Sequence, residues 1–459
     1  MLYHCKGKSK MLRRTAACLA VLFLLLSAQT IPLAQAYELP PVEVTARVAL
    51  LIETGSEEIL YQHNIYDKAY PASLTKIMTA MLAIEFAETQ EEGFNQKVEA
   101  FPEALEGLDP QGSTQGIKAG EIMTVRDLLY CTLVSSANEA CNVLAQYVSG
   151  SMPAFVELMN KRAKELGCKN TQFTNTHGLH DEDHYTTAYD IYLITREAMK
   201  HPEFMEICNT VATSIEPTNQ TASARALHTT NHLISTLTTS QYVYHQAKGI
   251  KTGNTSMAGH CLVSSAEQKG LNLISVVMGA DKEGETGLVL SFVETKRLLE
   301  WGFENFAVKT LLGTAEPIAK VKVHEGKDND EVTLSPERKL EALVPIALDV
   351  ADVQRKIKVF DEGGVSAPVL RGQVLGEIVL SYEDRVFGTI PLVATSEVTR
   401  NETVHVAKTI KDFITQDWVL YSLAGLAAAF VLYIVYVIVH NRRRRRNNPK
   451  GNYRGRRRR

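Results

Sequence analysis

The chain has 459 residues, 45% of them hydrophobic and 22% charged. Its net charge of −3 hides an uneven distribution: of the 49 Lys and Arg, 5 lie before residue 37 and 11 after residue 417, so residues 37–417 carry 33 basic against 52 acidic groups, a net of −19. A body that acidic excludes an electrostatic grip on nucleic acid and restricts binding to local, site-specific contacts.

Residues 1–36 read as a secretory signal peptide. Lys6, Lys8, Lys10, Arg13 and Arg14 form a basic start without an acid, Ala16 to Ala28 is an apolar run, and Ala34-Gln35-Ala36 is an A-x-A cleavage pattern. The apolar run falls short of the roughly 20 residues that a membrane span requires.

Val44 to Glu53 reads as a strand, Thr54-Gly55-Ser56 as a turn and Glu58 to His63 as the returning strand. Pro71-Ala72-Ser73 opens a helix, with Ile77, Met78, Met81, Leu82 and Ile84 on one side. Val125 to Val148 reads as a helix broken near Ser135–Asn138, followed by helices at Met152–Leu166 and Tyr189–Lys200. Strands near Gly249–Thr252, Gly259–Ala266 and Asn272–Met278 precede a last amphipathic helix, Phe292–Phe303. Strands at both ends with helices between them predict an α+β domain over residues 37–308.

From Ile318 to Ala394 short β-like runs alternate with Gly, Asp and Asn turns, which predicts a small all-β domain over 309–400. A juxtamembrane spacer follows at 401–417. Trp418 to His440 is 23 residues without Asp, Glu, Lys or Arg, and as a helix it would reach about 34 Å. Arg442 to Arg446 come next, within a basic tail at 441–459. Basic residues gather on the cytoplasmic side, so the expected topology puts the body outside and the tail inside. Cys131, Cys141, Cys168, Cys208 and Cys261 show no C-x-x-C spacing and read as small core residues.

Three short segments carry candidate chemistry. In Ser73-Leu74-Thr75-Lys76 an i, i+3 pair on a helix puts an amine beside a hydroxyl, and a desolvated Lys can serve as the base that makes the hydroxyl a nucleophile. Ser136-Ala137-Asn138 sits where a helix breaks; its hydroxyl can pass protons and its amide can hold a substrate carbonyl. Lys251-Thr252-Gly253 on a strand offers a cation, a donor and room for a peptide backbone. His177, His180 and His184 are spaced like metal ligands, but the loop around them is rich in Asp and Thr and no metal or other cofactor is expected.

S-x-x-K, S-x-N and K-T-G in this order resemble the signature of penicillin-binding proteins and serine β-lactamases. The likeness is specific to the low-molecular-mass D-alanyl-D-alanine carboxypeptidases. It extends through Tyr70 to Thr79, Asn138 to Cys141, His177 to Asp190, Gly249 to Gly253, Glu300 to Phe303 and, in the β-rich segment, Ile390 to Ala394. The resemblance implies a β-lactamase/transpeptidase-like catalytic domain, an antiparallel sheet flanked by helices, followed by the all-β domain. It implies that Ser73 is the acyl-ester nucleophile, Lys76 its general base and Ser136 a proton carrier. Asn138, Lys251, Thr252, Gly253 and Asn254 would bind substrate, with Lys251 and Thr252 on the terminal carboxylate and the N–H groups of Ser73 and Asn254 forming the oxyanion hole. The implied partners are peptidoglycan stem peptides, β-lactams as inhibitors, and the membrane through the C-terminal helix.

The chain departs from that family in five places. Ser291 stands where relatives often carry Arg, Asn254 and His260 stand where other residues are expected (for His260 often Tyr), the loop Asp281–Leu290 is longer, and a full span with a basic tail replaces the usual amphipathic surface helix. A D,D-endopeptidase, a β-lactamase and a non-catalytic penicillin sensor remain alternative readings. The loop 175–190 lacks the Glu-x-x-x-Asn pattern of a class A β-lactamase.

Overall fold

The computed structural model describes residues 39–446; the expected signal peptide and the tail beyond residue 446 lie outside the described residues. The chain divides into two compact units. One comprises residues up to Val308 together with Leu343–Leu348, and the other comprises Lys309–Ala342 and Asp349 onward.

In chain order the first unit contains β1 (Val48–Glu53), β2 (Glu58–His63), α1 (Lys76–Ala87), β3 (Lys97–Glu99), β4 (Ile122–Thr124), α2 (Val125–Leu133), α3 (Asn138–Ser149) and α4 (Met152–Glu165). It continues with α5 (Ala188–Ala198), α6 (Pro202–Cys208), β5 (Ala212–Ile215), β6 (Arg225–His228), β7 (Ala247–Thr255), β8 (Gly259–Gln268), β9 (Leu271–Ala280) and α7 (Leu290–Asn305). The first and last strands meet in one antiparallel sheet of order β2-β1-β9-β8-β7. Two distant parts of the chain therefore form one sheet, with β7 at its edge.

Side chains alternate across a strand, and both faces of this sheet are covered, so β1 is apolar from Val48 to Ile52. Val48, Leu50 and Ile52 join one core with Ile77, Met78, Met81, Phe155 and Tyr192. Ala49 and Leu51 face a second core with Phe292, Leu298, Leu299 and Trp301 of α7. Helix α1 differs from its expected one-sided pattern. Every residue from Lys76 to Ile84 is buried, because α1 runs through the middle of the helical layer.

The start of α1 also differs from expectation. Ala72–Thr75 forms a 3-10 turn and the α-helix begins only at Lys76. The long helix breaks where its sequence predicts, between α2 and α3, and Ser136 there has a left-handed φ of 64°. Thr124 and Asp127 close a capping box that fixes the start of α2.

In the second unit a six-stranded sheet has the strand order 354–359, 374–382, 385–394, 331–336, 319–324, 365–366. Its core includes Val321, Val332, Leu334, Ile378, Leu380, Ile390 and Leu392. A helix at Glu402–Ile414 follows, and then Asp417–Arg446. Within Asp417–Arg444 of this last helix an 18-residue stretch reaches a mean hydropathy of 2.4, so the helix is long and apolar enough to cross a membrane.

Candidate active site

Ser73 lies in the 3-10 turn immediately before α1. The turn is pressed into shape by the loop that follows α4. Gly178 has φ +88°, and a Cβ there would stand 1.8 Å from the carbonyl oxygen of Ala72, so only glycine allows this approach. Thr75 Oγ1 donates to that same Ala72 carbonyl at 2.9 Å and pairs with His184 Nε2 at 2.8 Å. His184 Nδ1 accepts from Thr174 N–H at 3.0 Å, which leaves its proton on Nε2, directed at Thr75. Burial holds His184 well below the usual imidazole range, at about 4, so it is a neutral strut.

Lys76 opens α1 and is fully buried. Its Nζ lies 2.8 Å from each of three oxygens: Ser73 Oγ, Asn138 Oδ1 and the His177 carbonyl. An ammonium has three protons, one for each. Burial lowers this amine to about 8, against raising contributions from the Cys141 thiol and the Glu139 carboxylate. Once neutral it keeps two protons and one lone pair. The two carbonyl-type oxygens can only accept, so the lone pair falls to the one neighbour able to donate, the Ser73 hydroxyl. The three-way geometry thus aims the lone pair of the amine at the Ser73 hydroxyl.

Asn138 starts α3, and its backbone N–H is held by the Ser113 carbonyl at 2.9 Å. Ser136 is 4% exposed and opens on the same cleft as Ser73 and Asn138. The cleft measures about 820 Å3, and its other wall is β7, contributing Thr252, Gly253 and Asn254. Gly253 seats the strand against the 3-10 turn that holds Ser73: a Cβ there would lie 3.0 Å from Pro71 O and 3.1 Å from Ser73 N. Lys251, 1% exposed, donates to the Thr252 carbonyl at 3.1 Å. Burial, then the nearby Lys76 amine, push Lys251 down to about 7. The structure therefore gathers all eight expected site residues around one cleft, with both lysines beneath its surface.

The remaining expected features have definite places. Ser291 and His260 both line the cleft. Burial and the neighbouring Lys282 lower the His260 imidazole, while Asp281 works the other way. The loop Asp281–Leu290 closes on itself through Leu290 N–H to Asp281 O at 3.0 Å and Glu283 N–H to Leu288 O at 2.9 Å. His180 packs edge-on against Tyr70, with ring centres 4.6 Å apart. His177 is pushed down to about 3 by burial and then by Lys76. Among the described residues no group of His, Cys, Asp or Glu is arranged to hold a metal ion. Cys131, Cys141, Cys208 and Cys261 are buried and Cys168 half-buried, and none is disulfide-bonded.

Sequence reasoning missed two contributors. The His177 carbonyl acts through backbone, which no residue identity could reveal. Thr230, whose Oγ1 lies 2.6 Å from Thr252 Oγ1, sits in a Thr- and Ser-rich stretch without periodicity.

Residues 34–282 match the family described as D-alanyl-D-alanine carboxypeptidase, and residues 306–400 match the penicillin-binding protein 5 C-terminal domain. The D-alanyl-D-alanine carboxypeptidase DacF of Bacillus subtilis is 33% identical over 353 residues, covering 77% of this chain and 86% of its own length. DacC of Escherichia coli is 31% identical, covering 85% of this chain and 92% of its own. The crystal structure of penicillin-binding protein 5 from Haemophilus influenzae, 30% identical, superposes with a TM-score of 0.58 over 79% of this chain and all of the other.

Proposed function

The chain belongs to the D-alanyl-D-alanine carboxypeptidase family and is a penicillin-binding serine-type peptidase, and from that premise we propose how its residues divide the reaction. The substrate is a peptidoglycan stem peptide ending in D-Ala-D-Ala, lying along the edge of β7. Neutral Lys76 takes the Ser73 proton as Ser73 Oγ attacks the penultimate D-Ala carbonyl. The N–H groups of Ser73 and Asn254 hold the oxyanion, a contribution of about 3–4 kcal/mol per donor. The proton passes from Lys76 through the Ser136 hydroxyl to the departing D-Ala amine as the C–N bond breaks. Water, deprotonated by Lys76, then cleaves the Ser73 ester. Asn138 positions Lys76 and the substrate amide, while Lys251 and Thr252 receive the terminal carboxylate. β-Lactams enter the same route and stop at the ester.

The observation that carries this reading is the set of three 2.8 Å bonds at Lys76 Nζ. The Asp417–Arg446 helix would anchor the enzyme, with the catalytic unit outside the cytoplasmic membrane and the arginine-rich end inside. The direct test is D-Ala release from a synthetic pentapeptide. The parent protein should release D-Ala and the Ser73→Ala variant should not; release that survives the substitution would overturn the mechanism.

A further inference from the structure

Among the described residues, no Lys or Arg side chain lines the catalytic cleft, and its single carboxylate is Asp109. Lys251, the cation beneath the β7 wall, is buried, and its amine is directed at its own strand's Thr252 carbonyl. A substrate carboxylate on this wall must therefore meet neutral donors first, with the buried positive charge behind them.

Two of the neutral donors there are paired hydroxyls. Thr230 Oγ1 and Thr252 Oγ1 lie 2.6 Å apart and both face the cleft. One of them donates to the other, which ties up a single hydroxyl proton and leaves the second free. A carboxylate can only accept, and its two oxygens lie somewhat closer together than this pair, so each can meet one hydroxyl. Rotation of the two hydroxyl protons, without movement of a heavy atom, would present one donor to each oxygen. Such bonds to a charged acceptor are stronger than the neutral hydroxyl–hydroxyl bond they replace.

Thr230 is also held still. Its N–H reaches the Val134 carbonyl at 3.3 Å, Thr229 N–H reaches Val211 O at 2.9 Å, and Asn231 Nδ2 donates to Gly249 O at 2.8 Å. The last bond fastens the segment to β7 itself, and the first to the chain just before Ser136. A β-branched side chain on so fixed a backbone has few rotamers to lose on binding.

We propose that Thr230 and Thr252 form a two-hydroxyl clamp for the terminal carboxylate, so that Thr230 is a specificity-determining residue of the carboxypeptidase. The clamp rests on the carboxypeptidase reading above.

The test compares second-order acylation of the full-length protein in detergent by benzylpenicillin and by its methyl ester, together with KM and kcat for a D-Ala-D-Ala pentapeptide. Thr230→Val should slow acylation by the free acid about 10- to 100-fold, the loss of one hydrogen bond to a charged group, and leave the ester within about twofold. Peptide KM should rise by a similar factor with kcat nearly kept, and Thr230→Ser should restore both. An equal loss on acid and ester would assign Thr230 a purely structural role and overturn the clamp. An undiminished free-acid rate would overturn it as well. A parent protein that reacts with neither compound and releases no D-Ala would contradict the carboxypeptidase reading itself and the clamp with it.

Discussion

The amine of Lys76 stands 2.8 Å from the hydroxyl of Ser73, with its other two bonding directions taken by Asn138 Oδ1 and the His177 carbonyl. Charge alone cannot replace that arrangement, because the base must give up its proton. Lys76→Arg keeps a cation that does not deprotonate, and Lys76→Gln removes the base while keeping a polar group. Both should lower the acylation rate by about 10²- to 10⁴-fold, the range for loss of a general base. Stopped-flow acylation by a chromogenic cephalosporin measures this, and an Arg variant at parental rate would contradict the role.

The two buried lysines set opposing pH limbs. Lys76 works neutral, so reactivity grows as pH rises through about 8. Lys251 attracts a carboxylate only when charged, and its charge is lost as pH rises through about 7. In kcat/KM, which reports free-enzyme groups, the profile should rise and then fall with a maximum between about 7 and 8. The amines are close enough for these limbs to belong to the pair jointly. Lys251→Gln should lower kcat/KM overall and remove the falling limb, leaving a profile that only rises.

Two glycines position the nucleophile turn from opposite sides, and they should fail differently. Gly178→Ala adds a Cβ 1.8 Å from the Ala72 carbonyl at a left-handed φ. It should cost about 2–4 kcal/mol of stability, visible as a drop in Tm of several degrees together with lost activity. Gly253→Ala meets Pro71 O and Ser73 N at 3.0 and 3.1 Å. The strand can yield a few tenths of an ångström there, so Tm should change little while acylation slows. Equal Tm changes in the two variants would refute this distinction.

Truncation after residue 416 removes the Asp417–Arg446 helix and none of the cleft residues. The shortened protein should leave the membrane fraction and release D-Ala at the parental kcat. Retention on membranes after carbonate washing would show that another segment provides the anchor.

The sheet and the three reactive segments were legible because each depends on local pattern. β1 and β9 are apolar runs, and S-x-x-K, S-x-N and K-T-G are residue identities at fixed spacing. The expected helix at Ser73 is a 3-10 turn, yet the Ser73–Lys76 pairing survives, since residues i and i+3 eclipse in that tighter geometry. The pairs β3/β4 and β5/β6 escaped notice because three or four residues are too few to show a period. Helix α1 reads as one-sided from Ile77, Met78, Met81, Leu82 and Ile84 alone, whereas the small residues Thr79, Ala80 and Ala83 between them are buried as well. Thr230 gave no signal, because its role comes from a bond to a residue 22 positions away.

The most direct measurement is peptide mapping by mass spectrometry after treating the protein with benzylpenicillin. The covalent mass should appear on the tryptic peptide containing Ser73 and vanish from the Ser73→Ala variant. A stable adduct on any other residue, or one that persists without the Ser73 hydroxyl, would contradict the account.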